Sequence, residues 1–362
     1  MAFALFAVVL TVAKANEVTT QSAIGQSIDV SETQSQTYPQ QVEIPIAIQR
    51  LANNAKALAV PVLVGGQAIE LHLDTGSTGV RVLSEAIDPD LVMRTGERTQ
   101  GQFFDGTVFE GEVAIASISI GPVSTTAPIA IHLVDTVRCP SVNPECFDDY
   151  QQAGMSGVLG LSIGARTGGS SVDIYSPISR FPGNFQSGYI VKTEGYYAVD
   201  GSLTLGLTPE SMAGFEQMSV PPRQTEPRTF ADGSNIWQDD ALSLNHNLQG
   251  NGIPAPFQNL SGRTLFDSGT AHVVLGVDRE PSFSARLWPG AILSSQIEDT
   301  LSWQLQAGNT PSLSQVFLIG RERSPQHILG LPFFFNYEVA FNLRDGAIGF
   351  KPIDSATSPS TP

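Results

Sequence analysis

Two strand-ending segments of this chain copy one another. Leu71-His72-Leu73-Asp74-Thr75-Gly76-Ser77 and Thr264-Leu265-Phe266-Asp267-Ser268-Gly269-Thr270 each run an apolar stretch into D-[TS]-G-[ST]. Each is followed by a hydrophobic-hydrophobic-Gly element, Val158-Leu159-Gly160 and Ile328-Leu329-Gly330. The two Asp lie 193 positions apart, a lobe-sized spacing far longer than that of a solenoid repeat. One such match can be an ordinary turn, since Asp, Ser, Thr and Gly are turn formers. At average composition one match arises by chance in about one chain in fifty, and two in about one in several thousand. Two matches in the same setting point to a duplicated unit.

The surroundings of both copies read as short strands. Val42, Ile44, Ile46 and Ile48 alternate with other residues. Residues 60–64, the Gly65-Gly66 turn and residues 69–73 form a hairpin pattern leading into Asp74. Further strands are expected at residues 113–120, 129–134, 188–192 and 202–207, and no long amphipathic helix is visible. With 34 Gly and 24 Pro in 362 residues, the expected class is all-β. Two similar lobes are expected, residues 42–195 and 196–353, with the site at their junction. Residues 212–258 are Pro-rich, polar and weakly patterned, and read as a connection or a surface excursion.

Residues 1–15, MAFALFAVVLTVAKA, are apolar and end in the A-x-A pattern Ala13-Lys14-Ala15. That pattern is expected of a secretory signal peptide, and the stretch is too short to span a bilayer. No Lys or Arg precedes it, so a buried N-terminal strand or a start-site artefact stay open as readings. Residues 16–41 read as a polar leader or short propeptide and residues 354–362 as a flexible tail. No other stretch approaches a membrane span. The 35 acidic against 19 basic residues, net −16, argue against a nucleic-acid partner. Cys139 and Cys146, in CPSVNPEC, suit a local disulfide if the chain is secreted and two reduced thiols if it is cytosolic. No nearby His or second Cys pair completes a metal site. Asn259-Leu260-Ser261 is a glycosylation sequon.

A carboxylate at the end of a D-[TS]-G-[ST] turn has backbone N–H groups and a hydroxyl within reach. If two such turns meet, the carboxylates face each other and cannot both ionise cheaply, so the pair shares a proton. One can then act as general base on a water while the other donates to a carbonyl. That is amide hydrolysis without a covalent intermediate, metal or cofactor.

With these motifs the sequence resembles the pepsin-like aspartic peptidases, over roughly residues 58–352. Phe103-Phe104-Asp105-Gly106-Thr107, with Gly111 following, is similar to the family's flap hairpin. Ser156-Gly157-Val158-Leu159-Gly160-Leu161 resembles a second family element, and residues 327–337, 339–341 and 348–350 its closing strands. The resemblance implies a bilobal, secreted or periplasmic, monomeric endopeptidase acting on polypeptides, with Asp74 and Asp267 as its catalytic dyad. It implies that Ser77 and Thr270 hydrogen-bond the outer carboxylate oxygens, that Thr75 and Ser268 brace the two loops, and that Gly76 and Gly269 permit the turns. The alternative is a catalytically weak or inactive peptide- or protein-binding relative.

Two departures bear on that choice. Phe103 stands where the family has Tyr and Arg81 where it has Trp, so the flap must be held differently. Residues 16–49 contain no Lys, Arg or His, so a leader held on the dyad by a basic group is not expected. His72, two residues before Asp74, is expected to pack or hydrogen-bond, and His272 to be a strand residue beside the dyad. Phe333-Phe334-Phe335 is expected to alternate between lobe core and central sheet. Residues 164–169, GARTGG, read as a loop.

Overall fold

The computed structural model describes residues 40–141, 146–164, 174–226, 228–230, 233–250, 253–278, 286–297, 301–320 and 326–353. The expected signal peptide, nearly all of the expected leader, the tail from residue 354 and residues 165–169 of the Gly-rich stretch lie outside them. Among the described residues there are twenty-two strands and two short α-helices, Asp148–Gln152 and Leu331–Phe334. The fold is all-β and bilobal. Among the described residues no helix is long and apolar enough to cross a membrane.

The duplication seen in the sequence is a duplication of topology. In the first half, strand Met155–Leu161 runs parallel to Gln67–Asp74 and antiparallel to Thr78–Leu83, which pairs in parallel with Ile129–Arg138. In the second half, His327–Leu329 runs parallel to Asn259–Phe266 and antiparallel to Val273–Val277, which pairs in parallel with Val316–Gly320. The first set belongs to a fifteen-stranded sheet and the second to a seven-stranded one. The last strands of the chain, Tyr337–Asn342 and Ala347–Pro352, join the larger sheet through Gly188–Thr193.

The hydrophobic-hydrophobic-Gly elements now have a physical reason. Each passes directly behind an Asp turn. A Cβ on Gly160 would lie 2.8 Å from the Ser77 carbonyl carbon, and one on Gly330 would meet the backbone oxygens of Thr270 and His272. The apolar pairs before them are buried: Val158 and Leu159 in one half, Ile328 and Leu329 in the other. Leu71, Leu73, Val80, Val82 and Leu161 close the core around the first turn, and Phe266, Leu275, Phe333 and Phe350 around the second. Each such side chain contributes roughly 1.5–3 kcal/mol by leaving water.

Several elements differ from their sequence expectation. Ser243–Gln249, inside the stretch read as a connection, is a strand of the smaller sheet with Leu244, His246 and Leu248 facing inward. Phe333 and Phe334 sit in the helix Leu331–Phe334 and Phe335 follows it, so all three are buried with no strand alternation. His272 precedes its strand, which begins at Val273. The expected strand over 113–120 is two strands, Val108–Ala116 and Ile118–Ile120.

Candidate active site

Asp74 ends one strand and Asp267 immediately follows the other, and both carboxylates line one cavity of about 360 Å³. Both residues are buried, 6% and 8% exposed. Their surroundings match nearly bond for bond. The Gly76 N–H donates to Asp74 Oδ1 at 2.8 Å and the Gly269 N–H to Asp267 Oδ1 at 2.8 Å. Ser77 Oγ donates to Asp74 Oδ2 at 2.5 Å and Thr270 Oγ1 to Asp267 Oδ2 at 2.7 Å.

Buried hydroxyls tie the two turns together. The Thr75 N–H donates to Ser268 Oγ at 3.1 Å, and the Ser268 N–H to Thr75 Oγ1 at 3.0 Å. Each hydroxyl then donates across the interface, Thr75 Oγ1 to the Phe266 carbonyl at 2.9 Å and Ser268 Oγ to the Leu73 carbonyl at 2.8 Å. The approach is so close that only glycine fits. A Cβ on Gly76 would lie 2.6 Å from Asp267 Oδ1, and one on Gly269 2.7 Å from Asp74 Oδ1.

Two carboxyls this close and this dry cannot both be charged. Burial first, and then the negative charge of Asp74, push the Asp267 carboxyl well above the ordinary carboxylate range. A hydrogen bond to Asp74 adds to the rise, and hydrogen bonds from Thr270 and the Gly269 N–H oppose it without cancelling it. The pair therefore holds a proton, in a position to be both acid and base.

Strands Met93–Gln102 and Val108–Ala116 form a hairpin whose turn is Phe103 to Thr107. The Phe103 N–H donates to the Thr107 carbonyl at 2.8 Å, and Asp105 accepts from the Thr107 N–H and hydroxyl at 2.9 and 2.8 Å. Phe103, Phe104, Asp105 and Thr107 line the same cavity as the two Asp, while Gly106 does not. Cys139 and Cys146 form a disulfide with Cα atoms 5.4 Å apart. It leads into Phe147 and Tyr150, which the sequence reading did not single out. Their rings stack at 5.3 Å and form another wall of the cavity. Asp148-Asp149-Tyr150 following the second Cys was the available signal. Burial raises the Tyr150 hydroxyl pKa, helped by the negative charges of Asp105, Asp74, Asp267 and Asp149.

His72 is buried, its Nδ1 3.2 Å from the Leu58 carbonyl and its Nε2 3.4 Å from the Gly269 carbonyl. Burial lowers its pKa against the pull of Asp74, so at mild pH it is neutral and its single N–H donates to one of these two carbonyls. His272 lines the cavity and is held at about 4 by burial. Among the described residues no group of three His, Cys, Asp or Glu is arranged to hold a metal ion.

Comparison with solved structures matches this chain to the crystal structure of aspartic proteinase from Irpex lacteus. The TM-score is 0.58 at 14% identity, over 89% of this chain and 100% of that one. The fold is pepsin-like. At that identity the likeness speaks to fold alone. No family model matches the chain, and no curated protein matches it. The pepsin-like fold leaves the role of each residue to be argued from this site's own geometry.

Proposed function

We propose that the chain is an aspartic endopeptidase that hydrolyses peptide bonds with a water activated between Asp74 and Asp267. The observation that carries this reading is the matched, interlocked pair of buried carboxyls in one cavity, one of them raised above the ordinary range by burial and by the charge of the other. In the proposed reaction Asp74, ionised, takes a proton from the water. Asp267, protonated, donates to the scissile carbonyl to give a tetrahedral diol. Asp74 then passes its proton to the amide nitrogen while Asp267 takes one back from a diol hydroxyl. The C–N bond breaks, the amine and the acid leave, and the pair returns to its starting state. Ser77 and Thr270 hold the outer oxygens. The turn Phe103 to Thr107 acts as a flap over an extended polypeptide. The apolar walls of the cavity, Phe103, Phe147 and Val274 among them, favour a peptide with an apolar side chain beside the cut. We further propose that the chain is secreted, a reading the disulfide supports, and that it acts as a monomer.

The test is incubation of the purified protein with a denatured protein substrate from pH 2 to 7, with and without pepstatin, beside D74N and D267N. Cleavage should be blocked by pepstatin and fall at least tenfold in either variant. Cleavage that survives in both variants contradicts the mechanism. One observation favours a second reading, a binding module without turnover. Phe103 offers no hydroxyl at the flap, and its partner is Arg81. Peptide binding with no cleavage at any pH would select that reading.

A further inference from the structure

The duplication breaks at one buried position. Arg81 lies seven residues after Asp74, and Val274 lies seven residues after Asp267. The two occupy the same place in the topology: Arg81 is opposite Val158 and Val274 is opposite Ile328. Arg81 is only 4% exposed. Among the described residues it forms no salt bridge. Its Nη1 donates to Ser77 Oγ and to the Gly79 carbonyl, both at 3.4 Å. Its guanidinium carbon lies 5.4 Å from the centre of the Phe103 ring. A guanidinium is an expensive group to bury without a counter-ion. What it faces is the hydroxyl that serves Asp74 and the aromatic ring that begins the flap turn.

Donor chemistry fixes the direction of this chain of contacts. Arginine can only donate. Ser77 Oγ therefore accepts from Arg81, and its single proton is committed to Asp74 Oδ2, 2.5 Å away. The second turn has Thr270 in the matching role but a valine behind it, so among the described residues no cation takes the place of Arg81 there. The other titratable groups facing Asp74 are Asp267 from the opposite turn, His72 from its own strand, Tyr150 from the helix Asp148–Gln152 and Tyr189 from Gly188–Thr193. Arg81 itself is faced by His132 of the adjacent strand, on which Asp135 and Arg98 also act. Burial and Arg81 hold His132 at about 4, and burial holds His72 below its usual value. Both are neutral at mild pH, which leaves the guanidinium as the positive charge beside Asp74 among the described residues.

We propose that Arg81 is a positioning residue that breaks the symmetry of the pair, making Asp74 the ionised base and leaving the shared proton on Asp267. Through Phe103 it links that choice to the seating of the flap. The inference rests on the reading of the pair as an acid–base dyad and specifies which carboxylate takes which part. Arg81 and Asp74 act on each other electrostatically, and a nearby opposite charge typically lowers a carboxyl pKa by about one unit or more.

Two readouts test it. The first is the side-chain carboxyl ¹³C titration of Asp74 and Asp267 in the folded protein, which needs no turnover. The second is the pH profile of kcat/KM. In R81M the lower titration midpoint and the acid limb should both move up by about one pH unit. R81K keeps the charge but loses the planar face over Phe103, so its acid limb should stay near that of the parent while KM rises. Should R81M fail to fold, R81Q is the second neutral variant. Titration midpoints unchanged in the neutral variants, or moved equally in R81K, overturn the proposal. If the carboxyls respond as described but nothing is cleaved, the role of Arg81 stands and the hydrolytic reading falls.

Discussion

At the scale of single residues, the site depends on backbone approach as much as on its acids. Gly76 and Gly269 are each pressed against the opposite carboxyl, so Gly76→Ala or Gly269→Ala must push the turns apart. A displacement of about 1 Å at reacting atoms can cost 10²-fold. We expect kcat/KM to fall by about that factor in either variant, with the fold retained by circular dichroism. A full-rate G76A enzyme would show that the turns have slack they do not display. Thr75 and Ser268 form the reciprocal bridge behind those glycines, four hydrogen bonds through two buried hydroxyls. Because each hydroxyl serves both turns, T75V and S268A should be non-additive in a double-mutant cycle of unfolding free energy, with the double variant losing less than the two singles combined.

At the scale of elements, the disulfide ties down the wall of the cavity that follows it. Cys139 and Cys146 close a loop only seven residues apart, and Phe147 and Tyr150 follow directly. Loop-closure entropy for so short a ring is worth about 2.5 kcal/mol on the chain-entropy model. The C139S/C146S variant should lose stability of that order in denaturant unfolding and should raise KM more than it lowers kcat, because the wall loosens while the carboxyls stay braced. An unchanged KM would remove the segment from the substrate site. The two Asp turns, their glycine elements and the hairpin over them were legible in the sequence because each combines a turn signal with a buried apolar run. Ser243–Gln249 was not, because a histidine occupies its central inward position. Most of Met93–Gln102 is exposed and among the described residues it pairs only with Val108–Ala116, so it has little buried face to leave an alternating pattern. Arg81 was legible in sequence only as a departure that changes how the flap is held, and the packing of Phe103 and the duplicated topology reveal it as a buried cation beside one carboxylate.

At the scale of the whole molecule, composition and structure pull in opposite directions on acid tolerance. A net charge of −16 with few basic groups limits positive self-repulsion when carboxylates protonate, which favours the folded state in acid. The interior says otherwise. Burial holds His132 and His272 at about 4 and holds His72 and His246 below their usual range, while the unfolded chain takes up those protons near 6.5. A group with a depressed folded pKa gives its full stabilisation above the unfolded value and loses it as pH falls toward the folded one. Each proton taken up only on unfolding contributes a slope of about 1.4 kcal/mol per pH unit. Asp267 has the opposite sign, since its raised folded value makes its contribution complete in acid and lost as pH rises through that value. Four histidines outweigh one carboxyl, so Tm should fall as pH is lowered from 6.5 to 4, and H132Q should flatten that slope. A Tm that is constant or rises over this interval would return the argument to net charge. The same two groups of residues set the window for the proposed chemistry. Asp267 must keep its proton, which the burial and the Asp74 charge extend well above the usual carboxylate range, while the histidines limit how far into acid the fold survives. Activity is therefore expected at mildly acidic to neutral pH, and a kcat/KM profile confined below pH 4 would contradict both halves of the argument.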